Sequence, residues 1–387
     1  MSYQICVRCV MDTSDPDIRF DAAGVCHHCH AYDEAVIARV RTGAQAKAEL
    51  DAMCERMRSA GRGKDYDCVI GVSGGVDSTY VAYLVKQLGL RPLAVHLDNG
   101  WDSELAVKNI ENVLKHLGVE LYTHVLDWEE FKDLQLAFLR ASTPDSEIPS
   151  DHAILAVMRR TAARIGARSV ITGFNVRTES HLPSAWSQGH LDWRYIRAVH
   201  AQFGTRPLRQ FPHLTLFDQY WYRLTQKSIN LLDYVDYNKE VAKQLLIDRL
   251  GWRDYGGKHY ESIYTRFYQG YILPRKFGFD KRRSHLSSLI CSGQITRARA
   301  MEDLGRAPYP EDEQERDRNY VMKKLGISDH EFERIMNAAP RSYGEFPNYD
   351  QFYRGRVYRL GRAGMRALRR LRGMPSRTPG EHERNTA

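Results

Sequence analysis

Seven consecutive residues, Ser73-Gly74-Gly75-Val76-Asp77-Ser78-Thr79, bring three hydroxyls, two glycines and one carboxylate together. Before them, Cys68-Val69-Ile70-Gly71-Val72 is a short apolar run that predicts a buried strand. After them, Tyr80 to Lys86 predicts a helix that stops at Gly89. A strand, a glycine turn and a helix N-terminus form an anion site. Glycines lack a Cβ and let backbone N–H groups turn inward, and the helix adds the positive end of its dipole. Ser73, Ser78 and Thr79 add hydroxyl donors, and Asp77 is a carboxylate for a magnesium ion. The spacing is not that of G-x-x-x-x-G-K-[ST], so phosphate binding here follows a different loop.

A second constellation lies at the N-terminus. Cys6-Val7-Arg8-Cys9 and Cys26-His27-His28-Cys29 enclose a turn-rich insert holding Asp12, Pro16, Asp17 and Gly24. Two C-x-x-C knuckles bring four thiolates around one tetrahedral zinc. Four cysteines close the shell, which predicts a folding or docking role and leaves His27, His28 and His30 as surface or neighbouring residues.

Other elements must position the first site. Predicted strands at Arg91–Leu97, Glu120–Leu126 and Ser169–Thr172 alternate with helices at Ser103–Leu117, Trp128–Arg140 and Ala153–Ile165. This order predicts an α/β fold with a doubly wound parallel sheet, whose ligands sit beyond the C-terminal ends of the strands. A helix over Ala35–Arg58 precedes it, and the region from Phe203 to Arg299 reads as helical and aromatic-rich. Lys258 (in Tyr255-Gly256-Gly257-Lys258) and Lys276 (in Leu273-Pro274-Arg275-Lys276) are cations beside turns that suit phosphates. Asp151 reads as a helix cap in a loop, Ile148 to His152, that can face a reacting group. Glu179 reads as a solvent-exposed glutamate before a magnesium ligand.

The expected organisation is a zinc ribbon (1–35), a helical linker (36–66), an ATP-binding domain (67–202), a helical substrate region (203–300), an arginine-rich helical region (301–374) and a disordered tail (375–387). With 387 residues, no apolar run of spanning length and no hydrophobic leader, a cytoplasmic enzyme is expected. The net charge of +8 is concentrated: nine arginines and no acid lie between Gln351 and Gly380. The remaining body is nearly neutral, which argues against a broad nucleic-acid surface.

SGGVDST resembles the pyrophosphate loop of the PP-loop ATPases, which cleave ATP between its α and β phosphates and adenylate an oxygen. That resemblance implies that His96 and Leu97 lie near the adenine and that Gly173, in Thr172-Gly173-Phe174-Asn175, closes over the nucleotide. The knuckles, SGGVDST, YGGKHYES and LPRKFGFDKRRSHLSSLICSGQITR together resemble the N-acetyl sugar amidotransferases of bacterial surface-polysaccharide pathways. Membership implies ATP, Mg2+, a structural Zn2+ and conversion of an acetamido group on a nucleotide sugar into an acetamidino group. Asp77, Lys258 and Lys276 then stabilise the separating pyrophosphate. Ser2 stands where an N-terminal cysteine glutaminase would begin, so ammonia is expected from a separate glutaminase resembling that of imidazole glycerol phosphate synthase, with a cyclase-like ammonia-conducting partner. A tRNA-modifying PP-loop enzyme of lysidine or thiolation type is the rival. No cysteine between Cys68 and Cys291 is available to carry sulfur. A zinc-ribbon adaptor with a vestigial ATP fold is the third reading, opposed by Asp77 and the intact loop glycines.

Overall fold

The computed structural model describes residues 2–354. The basic helix expected around residues 357–371 and the tail from Pro375 lie outside them. Five strands form one wholly parallel sheet: β1 (Cys68–Gly71), β2 (Pro92–Asp98), β3 (Glu120–Val125), β4 (Ser169–Thr172) and β5 (Lys227–Asn230), in the order β3-β2-β1-β4-β5. β1 is central and buried, and β2 is buried up to its last residue, so both read as continuous apolar runs. β3 is an edge strand with alternating exposure. The four expected strands are present. β5 corrects the expectation that the chain past Phe203 is only helical: Lys-Ser-Ile-Asn is too short and polar to show a strand period, and its place comes from pairing Ser169↔Lys227 through Thr172↔Asn230. The sheet therefore runs past residue 202.

The helices in chain order are α1 (His27–Arg39), α2 (Gly43–Ala60), α3 (Val76–Gln87), α4 (Glu104–Leu117), α5 (Trp128–Ala141), α6 (Ile148–Arg164), α7 (Val176–Glu179), α8 (Trp193–Phe203), α9 (Leu216–Thr225), α10 (Lys239–Leu250), α11 (Ile263–Phe267), α12 (Arg282–Cys291), α13 (Arg297–Leu304), α14 (Glu311–Leu325), α15 (Asp329–Asn337) and α16 (Tyr349–Arg354). Local chemistry sets their ends. Ser103 caps α4 by accepting from Ala106 N at 3.2 Å, and Gly118 closes it in the left-handed region at φ 59°. Asp127 caps α5 in the same way. The single helix expected over residues 35–58 is two, α1 and α2, because the chain turns extended at Val40.

The ribbon is not a separate module. Cys6, Cys9, Cys26 and Cys29 are buried in the same core as Val95, Phe138, Trp186, Phe267 and Phe346. The second knuckle opens α1, so the ribbon boundary expected at residue 35 falls inside a helix. A second core, with Ile70, Val81, Ile110 and Leu231, fills the other face of the sheet. Among the described residues no helix is long and apolar enough to cross a membrane.

Candidate active site

The glycine turn sits between β1 and α3 at the C-terminal edge of the sheet. Gly74 adopts φ 84°, a left-handed conformation that a side chain would strain. Its carbonyl accepts from Trp252 Nε1 at 2.8 Å and from Tyr255 OH at 2.9 Å, which pin the loop from outside. Ser78 Oγ accepts from Ser73 N at 3.2 Å and donates to Gly75 O at 3.2 Å. That hydroxyl is spent on shaping the loop, and Ser78 and Thr79 are both buried. The first backbone N–H groups of α3 have no intrahelical acceptor and point toward an anion. At Gly173 an added Cβ would meet Ser78 N at 2.9 Å, so β4 ends against the first turn of α3.

Asp77 is the centre of a recessed ring of charge. Its carboxylate pairs with Lys239 Nζ at 2.9 Å and accepts a short hydrogen bond from Tyr237 OH. Burial pushes the Asp77 carboxyl up, but the Lys239 and Lys258 ammoniums and the Tyr237 bond outweigh it and hold the group below its ordinary value. Lys258 Nζ lies 3.0 Å from Glu179 Oε1 and 3.4 Å from His285 Nδ1. Burial and the two lysines keep His285 well below its ordinary pKa, hence neutral. Glu261 comes within reach of Gly75, whose added Cβ would lie 3.1 Å from its Oε1. Burial raises its carboxyl, and His259 and Lys239 bring it below the usual range. The ring holds three carboxylates and two lysines facing an anion loop. Glu179 is thus ion-paired and not a free surface residue.

A second recess lies beside it. Asn99, at the end of β2, donates to Ser150 Oγ at 3.1 Å, tying the N-terminus of α6 to the same edge of the sheet. α6 begins five residues before the expected Ala153, so Asp151 is in its first turn and caps nothing. Asp151 instead faces His190 Nε2 at 3.4 Å, beside Asp145, Glu147 and Lys281. Its side chain keeps 48% of its surface, yet burial in the recess pushes the carboxyl up to about 6, with Asp145 and Glu147 adding to the rise and His190 and Lys281 opposing it. An ordinary aspartate titrates near about 3.9. The folded protein therefore binds the extra proton between those values and loses stability as pH rises from about 4 to about 6. Asp151→Asn removes that slope. Melting temperatures of the two proteins from pH 4 to 6.5 should converge differently at each end, wild type losing ground to the variant as pH rises; parallel profiles would count against the recess.

Lys276 corrects the expectation that it acts on phosphate. Its Nζ donates to the carbonyls of Ile335 (2.5 Å), Ala338 (2.6 Å) and Met336 (3.3 Å), at the C-terminal end of α15. A lysine after a proline in a basic run reads as a phosphate ligand, but here it satisfies helix carbonyls that have no intrahelical donor. Lys276→Met should lower unfolding stability by about 2 kcal/mol, the scale of a hydrogen bond to a charged donor. AMP formation from ATP should be unchanged, and a loss of turnover at full stability would restore the phosphate role.

His96 and Leu97 sit at the end of β2 on opposite faces. The β1–β2 pairing stops at Gly71↔Val95 while β2 continues against β3 to Asp98, so the Leu97 backbone, next after Val95 to point toward β1, has no ladder partner there. The His96 ring bonds Val72 O and Asp102 (3.0 Å each) and lines a cavity of about 320 Å³ with Asp98, Val107, Ile110 and Thr123. Leu97 packs into the opposite core and has only its backbone to offer.

The four knuckle thiols lie together. Sγ–Sγ separations are 3.9 Å for Cys6–Cys29 and 3.7 Å for Cys9–Cys26 and Cys26–Cys29. Two sulfurs each about 2.3 Å from a tetrahedral zinc stand about 3.8 Å apart, so the donor set fits zinc. His27, His28 and His30 bond Arg19 N, Asp15 and Asp21, outside that shell. Lys239, Tyr237, Trp252, His285 and the Asp145–His190 group were not singled out as site residues from sequence. They come from segments distant in the chain, and of these Tyr237, Trp252 and His285 lay within runs marked as aromatic or basic.

Comparison with known proteins agrees with this geometry. Residues 50–142 match the NAD synthase family, and residues 261–360 match the C-terminal domain of WbpG-like lipopolysaccharide biosynthesis proteins. An uncharacterised protein of Methanocaldococcus jannaschii is 25% identical over 275 residues, 69% of this chain and 81% of that protein. A glutamine-hydrolysing GMP synthase of Pyrobaculum aerophilum is 36% identical over 86 residues, 22% of this chain and 17% of its own. A tRNA-specific 2-thiouridylase MnmA of Albidiferax ferrireducens is 34% identical over 124 residues, 28% of this chain and 32% of its own. The chain thus spans less than a third of the GMP synthase and of the thiouridylase. The chain is an ATP-utilising enzyme of the lipopolysaccharide-related type. The WbpG-like region supplies Glu261 and His285 to the ring of charge that faces the ATPase loop, and the two family matches together support an N-acetyl sugar amidotransferase of the PP-loop ATPase superfamily.

Proposed function

We propose that this enzyme adenylates the acetamido oxygen of a nucleotide-linked N-acetyl sugar and replaces that oxygen with ammonia, giving an acetamidino group in surface-polysaccharide synthesis. The supporting observation is the shared recess: one wall is the ATPase loop, and the other is α12 of the WbpG-like domain. The amide oxygen attacks the α-phosphorus and pyrophosphate leaves. Ammonia adds to the resulting imidate carbon, a proton is lost, and AMP departs with the former amide oxygen. Lys239 and Lys258, now paired with Asp77 and Glu179, are placed to turn onto the phosphates. Asp77 and Glu179 supply the hard oxygen donors that suit Mg2+, which when bound neutralises triphosphate charge. In this reading Asp151 takes the proton released as ammonia adds.

Ammonia comes, in this reading, from a separate glutaminase with an ammonia-conducting partner. Cys54 and Cys68 are buried in the core, where burial pushes both thiols up, and the other five cysteines gather at the ribbon. None is presented as a glutaminase nucleophile or sulfur carrier. The zinc is structural, joining the ribbon to the C-terminal half. To test the reaction, the full chain is given ATP–magnesium, ammonium and a diacetamido nucleotide sugar carrying 18O in its acetamido groups. AMP should gain one 18O as the sugar exchanges one oxygen for an imino nitrogen. AMP release driven by bulk tRNA alone, with the sugar inert, would overturn the proposal.

A further inference from the structure

We infer that the ribbon holds a second metal ion, a soft divalent ion such as zinc, bound by Cys29, His181 and Cys291 with the Cys29 thiolate bridging to the four-cysteine site. Cys291 Sγ lies 3.7 Å from Cys29 Sγ and 3.6 Å from His181 Nε2. With zinc–sulfur distances of about 2.3 Å and zinc–nitrogen distances of about 2.0–2.1 Å, tetrahedral angles give about 3.8 and about 3.6 Å for these edges. Two edges of this triad thus match ligands on one ion, and its third, Cys29 to His181, is under 4.8 Å. A disulfide is excluded, since its sulfurs would be about 2.05 Å apart.

The two donor sets share only Cys29. Cys6, Cys9, Cys26 and Cys29 are mutually within 4.8 Å, as are Cys29, His181 and Cys291, but the six do not form one such group. Cys291 therefore stands more than 4.8 Å from at least one of Cys6, Cys9 and Cys26 and is not a fifth member of their group. His181 is fully buried, and its tautomer suits the role. Ser288 Oγ donates to Ser284 O at 3.2 Å, so it accepts from His181 Nδ1–H at 3.0 Å. Nε2 is left with its lone pair directed at Cys291. A ligating histidine is ordinarily oriented in this way through its other nitrogen. Five thiolates and two divalent ions carry a net charge near −1, and Arg8, held by Asp33, lies at the same end of the ribbon.

The site also has a mechanical consequence. His181 follows α7 by two residues, and Cys291 ends α12. Those elements carry Glu179 and His285, the two groups that face Lys258. An ion joining their ends to the ribbon fixes both around that lysine. This inference stands apart from the identity of the substrate, so failure of one leaves the other untouched.

Zinc content tests it. Full-length protein purified from zinc-replete cells with a phosphine reductant, then desalted, should hold two zinc ions per chain. Cys291→Ala and His181→Ala should each hold one. A wild-type content of one, equal to the variants, would overturn the proposal, leaving only a thiol–imidazole hydrogen bond. Cobalt loading gives a second readout that does not depend on the variants folding. Adding the second equivalent to wild type should quench the cobalt paramagnetic resonance signal, because a bridging thiolate couples the two ions. A signal that simply doubles would rule out the bridge.

Discussion

Lys239→Met should abolish AMP formation and also destabilise the protein by about 3–5 kcal/mol, because it leaves the Asp77 carboxylate in its recess without its ion-pair partner. Both side chains retain under a fifth of their surface, so water does little to compensate. Asp77→Asn should cut turnover by about 10²–10³, the scale for losing one preorganised charge contact in a transition state, with a smaller loss of stability. The informative protein is the double variant. Asp77→Asn with Lys239→Met removes both charges, so most of the stability returns, whereas AMP release stays at background. Denaturant melts and pyrophosphate release from the four proteins form a cycle that separates folding from chemistry. A double variant as unstable as Lys239→Met alone would mean that Lys239 holds something other than Asp77. A Lys239→Met protein that releases pyrophosphate normally would remove the recess from the chemistry altogether.

That pair also marks what a linear sequence displays. SGGVDST announces itself because strand, turn and helix are consecutive, and the central sheet is legible because buried parallel strands are nearly unbroken apolar runs. Asp77's partners are different. Tyr237 and Lys239 lie some 160 residues downstream, just after β5, a four-residue edge strand with no period of its own. Only the pairing of β5 with β4 brings them under α3. Lys258 and Lys276 looked alike in sequence, each a lysine beside a turn. Topology sends the first to Glu179 and His285 and the second to the carbonyls at the end of α15. Asp151 was misread for a smaller reason: Pro149 is tolerated in the first turn of α6, so the helix starts before the proline. Local chemistry is written locally, whereas the charges that tune it arrive through tertiary contacts.

Removing the four-cysteine metal site, by Cys9→Ser or by a strong chelator, should unfold the C-terminal half together with the ribbon in one transition. The contacts argue for this coupling. Arg297 donates to Cys9 O and Cys6 O at 3.0 Å each, and Arg283 donates to Val10 O at 2.7 Å while pairing with Asp12 at 3.1 Å. Val10 N donates to Ser287 Oγ at 3.2 Å. Each of these bonds holds the ribbon against α12 or α13. A structural zinc contributes about 10–16 kcal/mol of apparent binding energy in small domains, as much as the whole stability of a typical protein. Without it, four thiols remain buried in the main core with no ion to organise them. Heating the chelated protein should therefore give a single, much lower melt, with ATP binding lost because His285 moves with α12. An early melt confined to the ribbon, with ATP turnover intact, would refute the coupling. The ribbon would then be an autonomous docking module, free to engage the glutaminase, instead of the clamp that shapes the wall of the active site.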